Sequence, residues 1–161
     1  MNVPIKLAGA LALTLALVAP ALADRLPLPA DTPAAYRNEC GNCHLAFPPA
    51  LLSAADWQRT LAGLDKHFAT DASLDPVARE AVGRFLVRHA GDASRLGGAG
   101  EPPRLTRTAR FVKKHREVPD RLWTDARVKS AANCEACHRG AAAGNYSEHD
   151  LVLPELNRRE R

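Results

Sequence analysis

Cys40-Gly41-Asn42-Cys43-His44 and Cys134-Glu135-Ala136-Cys137-His138 are the two stretches on which the interpretation of this sequence depends. Each contains two cysteines three positions apart, with a histidine directly after the second cysteine. Together they use all 4 cysteines of the 161-residue chain. Residues at positions i, i+3 and i+4 of a helix lie on one side. Each stretch can therefore present two thiols and one imidazole to the same bound group.

The repeated C-x-x-C-H motif is the attachment signal for c-type haem. The two thiols can add to the two vinyl groups of one porphyrin, and the following imidazole then faces its iron. Two motifs predict two covalently attached haem c groups, each containing iron. The predicted attachment residues and proximal iron ligands are Cys40, Cys43, His44, Cys134, Cys137 and His138.

Three other kinds of site also use paired cysteines. Four cysteines can bind structural zinc, but the pairs lie far apart and a histidine follows both. A thioredoxin-like redox pair requires a strand–helix context, which this sequence does not show. Two local disulfides fit an exported protein. Absence of a Soret band would favour one of these alternatives over haem.

Residues 1–23, MNVPIKLAGALALTLALVAPALA, have the pattern of a secretory signal peptide. Lys6 precedes an apolar run over residues 7–18, and Ala21 and Ala23 fit the rule for a cleavage site. The alternative is a membrane anchor, but a span requires about 20 apolar residues. We expect a mature chain that starts at Asp24, is exported to a bacterial periplasm and keeps no stable membrane anchor.

The composition excludes a polytopic membrane protein, a disordered polyelectrolyte and a collagen-like repeat, since 46% of residues are hydrophobic and 25% charged. Only 5% are aromatic, which is little for a self-sufficient core. Two porphyrins would supply the missing apolar surface, so the chain without haem is predicted to fold poorly.

Glycine and proline are concentrated in residues 97–103, which predicts a linker between two lobes. The expected organisation is an N-terminal haem lobe over residues 24–96 and a C-terminal haem lobe over residues 104–161. No extended alternation of apolar and polar residues is present. The predicted fold is mainly α, with two small helical haem-binding lobes packed around two covalent c-type haems.

Capping signals place the predicted helices. Ser53 with Asp56 starts a helix whose apolar face continues through residues 57–68. Asp75 and Pro76 start the next helix, with an apolar arc from Val77 to Leu86. In the second lobe Thr108, Phe111, Val112 and His115 share a helical face, and a further helix over residues 126–138 is expected to carry the second motif.

The distal iron ligands are not fixed by the motifs. The single methionine is Met1, which the signal peptide would remove, and every cysteine is needed for attachment. That leaves histidine, lysine, a terminal amine or an open distal position. The histidines not used by the motifs are His67, His89, His115 and His149. Helical spacing from neighbouring apolar residues ranks His115 first and His67 second, with His89 a competitor.

The sequence resembles the small dihaem cytochrome c family of bacterial periplasmic electron carriers. The resemblance is carried by residues 36–53, 57–74, 104–115 and 132–145. It implies that both haems have two histidine ligands, with His67 and His115 in the distal positions. Ala69 stands where the family commonly has glycine. We pair His67 with His44 and His115 with His138, while a crossed pairing between the lobes stays open at this point.

An iron with two imidazole ligands has no position for substrate, so the expected function is one-electron transfer between redox partners, without enzymatic turnover. The resemblance implies a partner such as a membrane b-type cytochrome or another haem protein. The absence of methionine ligation indicates low potentials. The alternative is a small haem enzyme or gas-binding protein with one five-coordinate haem, which carbon monoxide binding would reveal.

Basic residues are concentrated over residues 104–129, which have a net charge of +6. Little aromatic interleaving and the predicted export argue against nucleic acid as a partner. Arg107, Arg110 and Lys114 are predicted either to neutralise haem propionates or to dock an acidic redox partner. A plain solvated face is the alternative.

Overall fold

The computed structural model describes residues 24–153, so the predicted signal peptide lies outside the described residues. Short helices joined by turns make up the described chain, which confirms the mainly α fold class. The α-helices are α1 (Ala34–Gly41), α2 (Ala54–Ala62), α3 (Pro76–Arg88), α4 (Ala93–Leu96), α5 (Ala109–Lys114) and α6 (Asp120–Trp123). The 3-10 helices are Pro49–Leu51, Leu64–Lys66, Leu105–Arg107, Cys134–Ala136, Ala141–Ala143 and Glu148–Asp150.

The predicted starts of α2 and α3 are confirmed by their capping contacts. The Ser53 hydroxyl accepts the Asp56 backbone N–H at 3.2 Å and donates to the Asp56 carboxylate at 2.6 Å. At α3 the Asp75 carboxylate accepts the backbone N–H groups of Val77 and Ala78 at 2.9 and 3.0 Å. Both caps satisfy donors that have no partner within their helix.

The main apolar core lies between α1, α2 and α3 and beside the first motif. It consists of Tyr36, Phe47, Leu52, Trp57, Val82, Phe85, Leu86 and Ala99. Two hydrogen bonds tie its polar ring atoms to the backbone: Tyr36 Oη donates to the Phe47 carbonyl at 2.5 Å, and Trp57 Nε1 donates to the Pro49 carbonyl at 2.7 Å. Because these buried donors are satisfied, the aromatic rings can pack there at little polar cost.

Ala99 lies within the segment predicted as a linker, and it is only 1% exposed within this core. Gly97 has a φ of +74°, and a Cβ atom there would meet the Ala109 Cβ at 2.7 Å. Residues 97–103 therefore pack against both flanking parts of the chain. The boundaries of the two lobes stay a prediction.

The helix predicted over residues 57–68 is shorter than its apolar pattern indicates. It ends at Ala62, with Gly63 as C-cap, and a 3-10 turn over Leu64–Lys66 follows. Glycine weakens a helix by about 1 kcal/mol relative to alanine. Phe68 and Ala69 then adopt positive φ angles of 50° and 71°. A left-handed conformation favours glycine, yet this chain has alanine at position 69.

The continuous helix predicted over residues 126–138 is wrong. Turns occupy most of this stretch, and only Cys134–Ala136 form a 3-10 helix. Lys129 has a φ of +67°, which is incompatible with an α-helix through that position. Two residues predicted to lie on the inward faces of their helices are exposed instead: Val77 is 78% exposed and Val112 is 56% exposed.

The start of the described chain pairs with the segment that follows the second motif. The Leu26 backbone N–H donates to the Gly144 carbonyl at 2.7 Å, and the Tyr146 N–H donates to the Asp24 carbonyl at 2.9 Å. Gly144 has a φ of +75°, and a Cβ atom there would overlap backbone atoms of Pro27. Glycine is therefore required at this close approach.

Among residues 24–153, no helix has both the length and the apolar character needed to cross a membrane.

Candidate functional site

The first motif lies at the end of α1 and in the turn that follows. Cys40 is in the last turn of the helix, whereas Cys43 and His44 lie beyond its end. The His44 ring faces the ring of His67, with a centroid separation of 6.3 Å and an interplanar angle of 39°. The structure thus brings together the proximal and distal histidines predicted for the first haem.

His67 reaches this position because α2 ends early. The 3-10 turn Leu64–Lys66 leads into His67, whose backbone N–H donates to the Leu64 carbonyl at 3.3 Å. The neighbouring Phe68 ring lies under the guanidinium of Arg104, at 4.0 Å from carbon to centroid. This cation–π contact fixes the turn against a residue from the second half of the chain.

The His44 ring is held from two sides. Its Nδ1 donates to the Leu45 carbonyl at 2.8 Å, and its plane stacks on Phe47 at a centroid separation of 4.8 Å. A carbonyl partner for the second ring N–H is typical of a histidine that binds a metal. The carbonyls of Pro48 and Pro49 are bonded elsewhere, since the Pro49 carbonyl accepts from Trp57 and the Pro48 carbonyl from Leu51.

The second site pairs His115 with His138, whose ring centroids are 6.1 Å apart and whose planes are at 83°. His115 is the C-cap of α5, and its Nδ1 donates to the Phe111 carbonyl at 2.9 Å. Phe111 stacks on the His115 ring at 3.9 Å, and Trp123 contacts its edge at 5.9 Å. The helix end and these two aromatic rings fix the orientation of the imidazole.

The His138 ring has a different environment. Its Nδ1 is buried and has no hydrogen-bond partner, and the same holds for the nearby Tyr146 hydroxyl. The two rings lie 5.6 Å apart. The backbone beside His138 is held by the chain that follows, since the Val152 N–H donates to the Cys137 carbonyl at 3.0 Å.

Burial and neighbouring groups favour uncharged side chains at both sites. Burial, then the nearby His44 and Arg104, lowers the pKa of His67. Burial and the nearby His115 lower the pKa of His138, while Asp24 opposes this shift. A neutral imidazole has the free lone pair that a metal requires.

Three of the four attachment cysteines are partly buried, whereas Cys43 is exposed. Burial raises the pKa of Cys40 and that of Cys134 to about 11 in each case. Burial also raises the pKa of Cys137. All four cysteines are present as free thiols, with none joined in a local disulfide. Each pair is therefore available for thioether bonds.

Both histidine pairs have the dimensions needed to hold one iron between them. Imidazole nitrogens bind first-row metals at about 2 Å, so two imidazoles on opposite faces of one ion have centroids roughly 6 Å apart. The observed separations of 6.3 and 6.1 Å match this. At His44 and His115, the Nδ1 bonds to carbonyls leave Nε2 as the ligating nitrogen. The residues present fit a haem at each motif.

The other two histidine candidates lie away from these pairs. His89 contacts Phe85 and bonds through Nε2 to the Asp31 carboxylate at 3.0 Å. His149 is exposed in a 3-10 turn capped by Ser147. A zinc module would need clustered ligands, and residues 24–153 contain no group of three or more His, Cys, Asp or Glu side chains suited to a metal.

Four residues around the histidines are not identified by any sequence motif: Leu45, Phe47, Trp123 and Tyr146. Leu45 contributes a backbone carbonyl, for which side-chain identity carries no signal. Phe47 stacks on the His44 ring. The only sequence signal for this contact is an aromatic residue that follows the first motif closely. Trp123 and Tyr146 reach the second site from turns whose course could not be predicted.

Comparison with known proteins identifies the family. A family model described as dihaem cytochrome c matches residues 36–146. A diheme cytochrome type c from Shewanella baltica OS155 is similar, with 36% identity, a TM-score of 0.67, and coverage of 78% of this chain and 95% of that chain.

A diheme cytochrome c from Rhodobacter sphaeroides is 40% identical over 72% of this chain and 98% of that chain, with a TM-score of 0.63. A crystal structure of DHC purified from Rhodobacter sphaeroides is 40% identical over 71% of this chain and 97% of that chain, with a TM-score of 0.62. No curated protein matches the chain.

The matched region contains both C-x-x-C-H motifs and both histidine pairs. Because the family model covers more than half of the chain and the solved relatives agree with it, the two C-x-x-C-H motifs can be assigned as haem-attachment motifs. This chain belongs to the dihaem cytochrome c family, an electron-transfer family, and carries two covalently bound c-type haems with iron.

Proposed function

We propose that this protein is a periplasmic one-electron carrier in which each haem iron is held by two imidazoles. His44 and His67 would bind the first iron, and His115 and His138 the second. The observation that carries this proposal is the pairing of the rings, at centroid separations of 6.3 and 6.1 Å. Each pair joins a motif histidine to one from a separate segment.

Two imidazoles on one iron leave no open coordination position, so the chemistry that a bound haem supplies here is exchange of single electrons. The protein holds the ligands still: carbonyls of Leu45 and Phe111 accept from the Nδ1 atoms of His44 and His115. Fixed ligands reduce the reorganisation that accompanies a change of oxidation state. This favours an electron carrier over an enzyme.

The alternative is an enzyme or gas-binding protein with one five-coordinate haem. It would require His67 or His115 to lie away from its motif, whereas each ring has a motif histidine at the distance that one iron needs. Carbon monoxide binds ferrous haem with an open position. We expect two haems per chain, low-spin spectra in both oxidation states and no rapid carbon monoxide binding. Near-stoichiometric binding by the unmodified protein would overturn the proposal.

Redox proteins are the partners that this function requires, such as a membrane b-type cytochrome or another haem protein. The basic residues of 104–129 support docking to an acidic surface. Arg107 is exposed and Arg110 half-buried, while Lys114 bonds to the Asp24 carboxylate at 3.1 Å. Docking would therefore depend more on the two arginines than on Lys114.

Salt dependence tests the docking role, because exposed charges are screened over about 8 Å at physiological ionic strength. Electron transfer to an acidic redox protein should slow as salt rises. An Arg107→Gln/Arg110→Gln double variant should be slower at low salt and less salt-dependent. Arg79→Gln, an exposed residue of α3 outside this stretch, is the matched control and should leave the rates and their salt dependence unchanged. Rates independent of salt would contradict docking through this surface.

Export to the periplasm rests on the pattern of residues 1–23. Fractionation of cells expressing the full chain should place the haem-stained protein in the periplasm, with Asp24 as its first residue. Recovery of the intact 161-residue chain in membranes would instead indicate an uncleaved anchor.

A further inference from the structure

Two buried polar side-chain atoms have no hydrogen-bond partner among the described residues: His138 Nδ1 and Tyr146 Oη. They belong to rings in contact, with centroids 5.6 Å apart and an interplanar angle of 58°. A buried polar group without a partner costs roughly 1–3 kcal/mol in mutational studies. Two such atoms on neighbouring rings indicate a bond that forms when the site is complete.

His138 differs from His44 and His115 in the hydrogen bonding of its Nδ1 atom. His44 and His115 both donate through Nδ1 to a backbone carbonyl. His138 is a proximal histidine like His44, yet its Nδ1 has no carbonyl partner. Histidines that bind metals almost always donate the second ring N–H to a carbonyl, a carboxylate or water. The proximal histidine of the second site therefore lacks the backbone partner that His44 has at the first site.

We propose that the Tyr146 hydroxyl accepts the Nδ1–H of His138, directly or through one buried water, and so acts as a positioning residue for the second haem. This inference rests on the proposed role of His138 as an iron ligand. The hydroxyl suits the role because burial, with Cys134 and Glu135 nearby, raises the pKa of Tyr146 and keeps the group neutral. A neutral hydroxyl can accept one bond and donate another.

Asp24 is the other polar group that acts on His138, and it is a less suitable partner. Its carboxylate Oδ1 bonds to Lys114 Nζ at 3.1 Å, and it makes no hydrogen bond to His138 Nδ1. Its backbone carbonyl instead accepts the Tyr146 N–H at 2.9 Å. Asp24 thus helps to hold Tyr146 beside the imidazole.

A hydrogen bond from Nδ1–H makes the imidazole a stronger electron donor, which stabilises ferric over ferrous iron. Losing the acceptor should therefore raise the potential of the second haem. Replacing a residue that hydrogen-bonds to a metal ligand commonly alters metal affinity by 10-fold or more. A tenfold change in the ratio of ferric to ferrous stabilisation corresponds to about 59 mV for a one-electron couple.

The experiment is a redox titration of the haem-loaded Tyr146→Phe variant. One haem should shift upward by about 59 mV, the one-electron equivalent of tenfold, while the other keeps its potential. Tyr146→Gln, whose amide oxygen can accept, should return the potential toward that of the unmodified protein. Tyr36→Phe is the matched control, because it removes the other tyrosine hydroxyl of the chain, which bonds to the Phe47 carbonyl beside the first motif.

Combining each variant with His67→Ala identifies the haem that shifts, because carbon monoxide then marks the first haem. Unchanged potentials in Tyr146→Phe, or an equal shift of the second haem in Tyr36→Phe, would overturn the inference. If His138 were not a ligand, the unmodified protein would have a high-spin haem, so failure of the proposed function is recognised separately.

A second measurement covers the case in which Tyr146→Phe does not load its second haem. Proton NMR of the reduced, unmodified protein should show a slowly exchanging Nδ1–H of His138 with a cross-peak to the Tyr146 ring or to a bound water beside it. Rapid exchange of that proton, with no such cross-peak, would disprove the hydrogen bond.

Discussion

The His67 ring lies 6.3 Å from the ring of His44, although the two residues come from different helical segments. His67 reaches this point from the 3-10 turn that begins after Gly63, where α2 has already ended. The first histidine pair therefore depends on the early end of a helix. Predictions about this site concern the turn as much as the ligand itself.

Replacing His67 with alanine should leave the first iron with His44 alone. We expect high-spin absorption from one of the two haems and carbon monoxide binding at about one per chain. His89→Ala is the matched control, because His89 bonds to Asp31 instead. An unchanged visible spectrum in His67→Ala, or a changed one in His89→Ala, would show that the distal ligand is wrongly assigned.

Removing one haem at a time tests the pairing within each half of the chain. In a Cys134→Ala/Cys137→Ala background only the first haem is attached. Adding His115→Ala should leave that haem low-spin, whereas adding His67→Ala should make it high-spin. The reason is that the His115 ring lies 6.1 Å from His138. A crossed pairing would give the reverse result in the same spectra.

Gly144→Ala should destabilise the protein and loosen the second site. A Cβ atom at this φ of +75° would overlap the Pro27 backbone. Substitution of alanine for glycine at a positive φ costs roughly 1 kcal/mol or more. Gly98→Ala is the control, because a Cβ atom there meets nothing within 4 Å. Thermal unfolding of both variants checks this, and equal melting temperatures would contradict the required close approach.

Acid should destabilise the protein in part through Asp56. Burial by itself would raise the pKa of Asp56, but hydrogen bonds from Ser53 and Arg59 outweigh it and lower the pKa below 3.8. The folded-state pKa is therefore below the unfolded one. This contribution to stability is present above about pH 4 and is lost as the pH falls through the folded pKa.

Asp56→Asn should lower the free energy of unfolding at pH 7 by about 1–3 kcal/mol, since the residue is only 6% exposed and its carboxylate is bonded to Ser53 and Arg59. Its effect should shrink between pH 4 and pH 2. Asp71→Asn, at an exposed turn, is the control. Denaturant titrations over this pH range give the comparison. A difference between Asp56→Asn and the unmodified protein that stays constant with pH would contradict the assignment.

A chain without haem should lose much of its helix. The main buried cluster among the described residues has only eight members, and the second site has exposed Leu151, Val152 and Leu153 beside Cys137. Porphyrins would cover such surface at about 25 cal/mol per Å². Far-ultraviolet circular dichroism of a variant with all four cysteines replaced by alanine should show much less helix than the loaded protein. Equal helicity would refute the prediction.

Local signals in the sequence account for what could be predicted. Ser53 and Asp75 are side-chain caps whose geometry follows from two or three neighbouring residues, and both were confirmed. The C-x-x-C-H motifs carry their chemistry in five residues, so the haems could be predicted without a fold. The distal histidines could not be selected by pattern alone, because His89 has equally good helical spacing from Phe85.

The remaining features depend on interactions between distant segments. Helical periodicity continues past Gly63, but packing of the Phe68 turn under Arg104 determines where the chain bends. The stretch over residues 126–138 has suitable residues for a helix, yet Lys129 takes a left-handed conformation. The Leu45 carbonyl holds His44 through the backbone, and Tyr146 approaches His138 from a later turn. None of these contacts has a sequence signature.

The hydrogen bonds of Leu26 with Gly144 and of Asp24 with Tyr146 also bear on the order of assembly. Asp24 and Leu26 are held by a much later segment of the chain, so the second pocket closes only after Tyr146 has been made. The first histidine pair needs the chain only as far as Arg104, whose guanidinium packs on the Phe68 ring. Domains form in the order in which the ribosome delivers them, and the two cofactors would accordingly be enclosed one after the other.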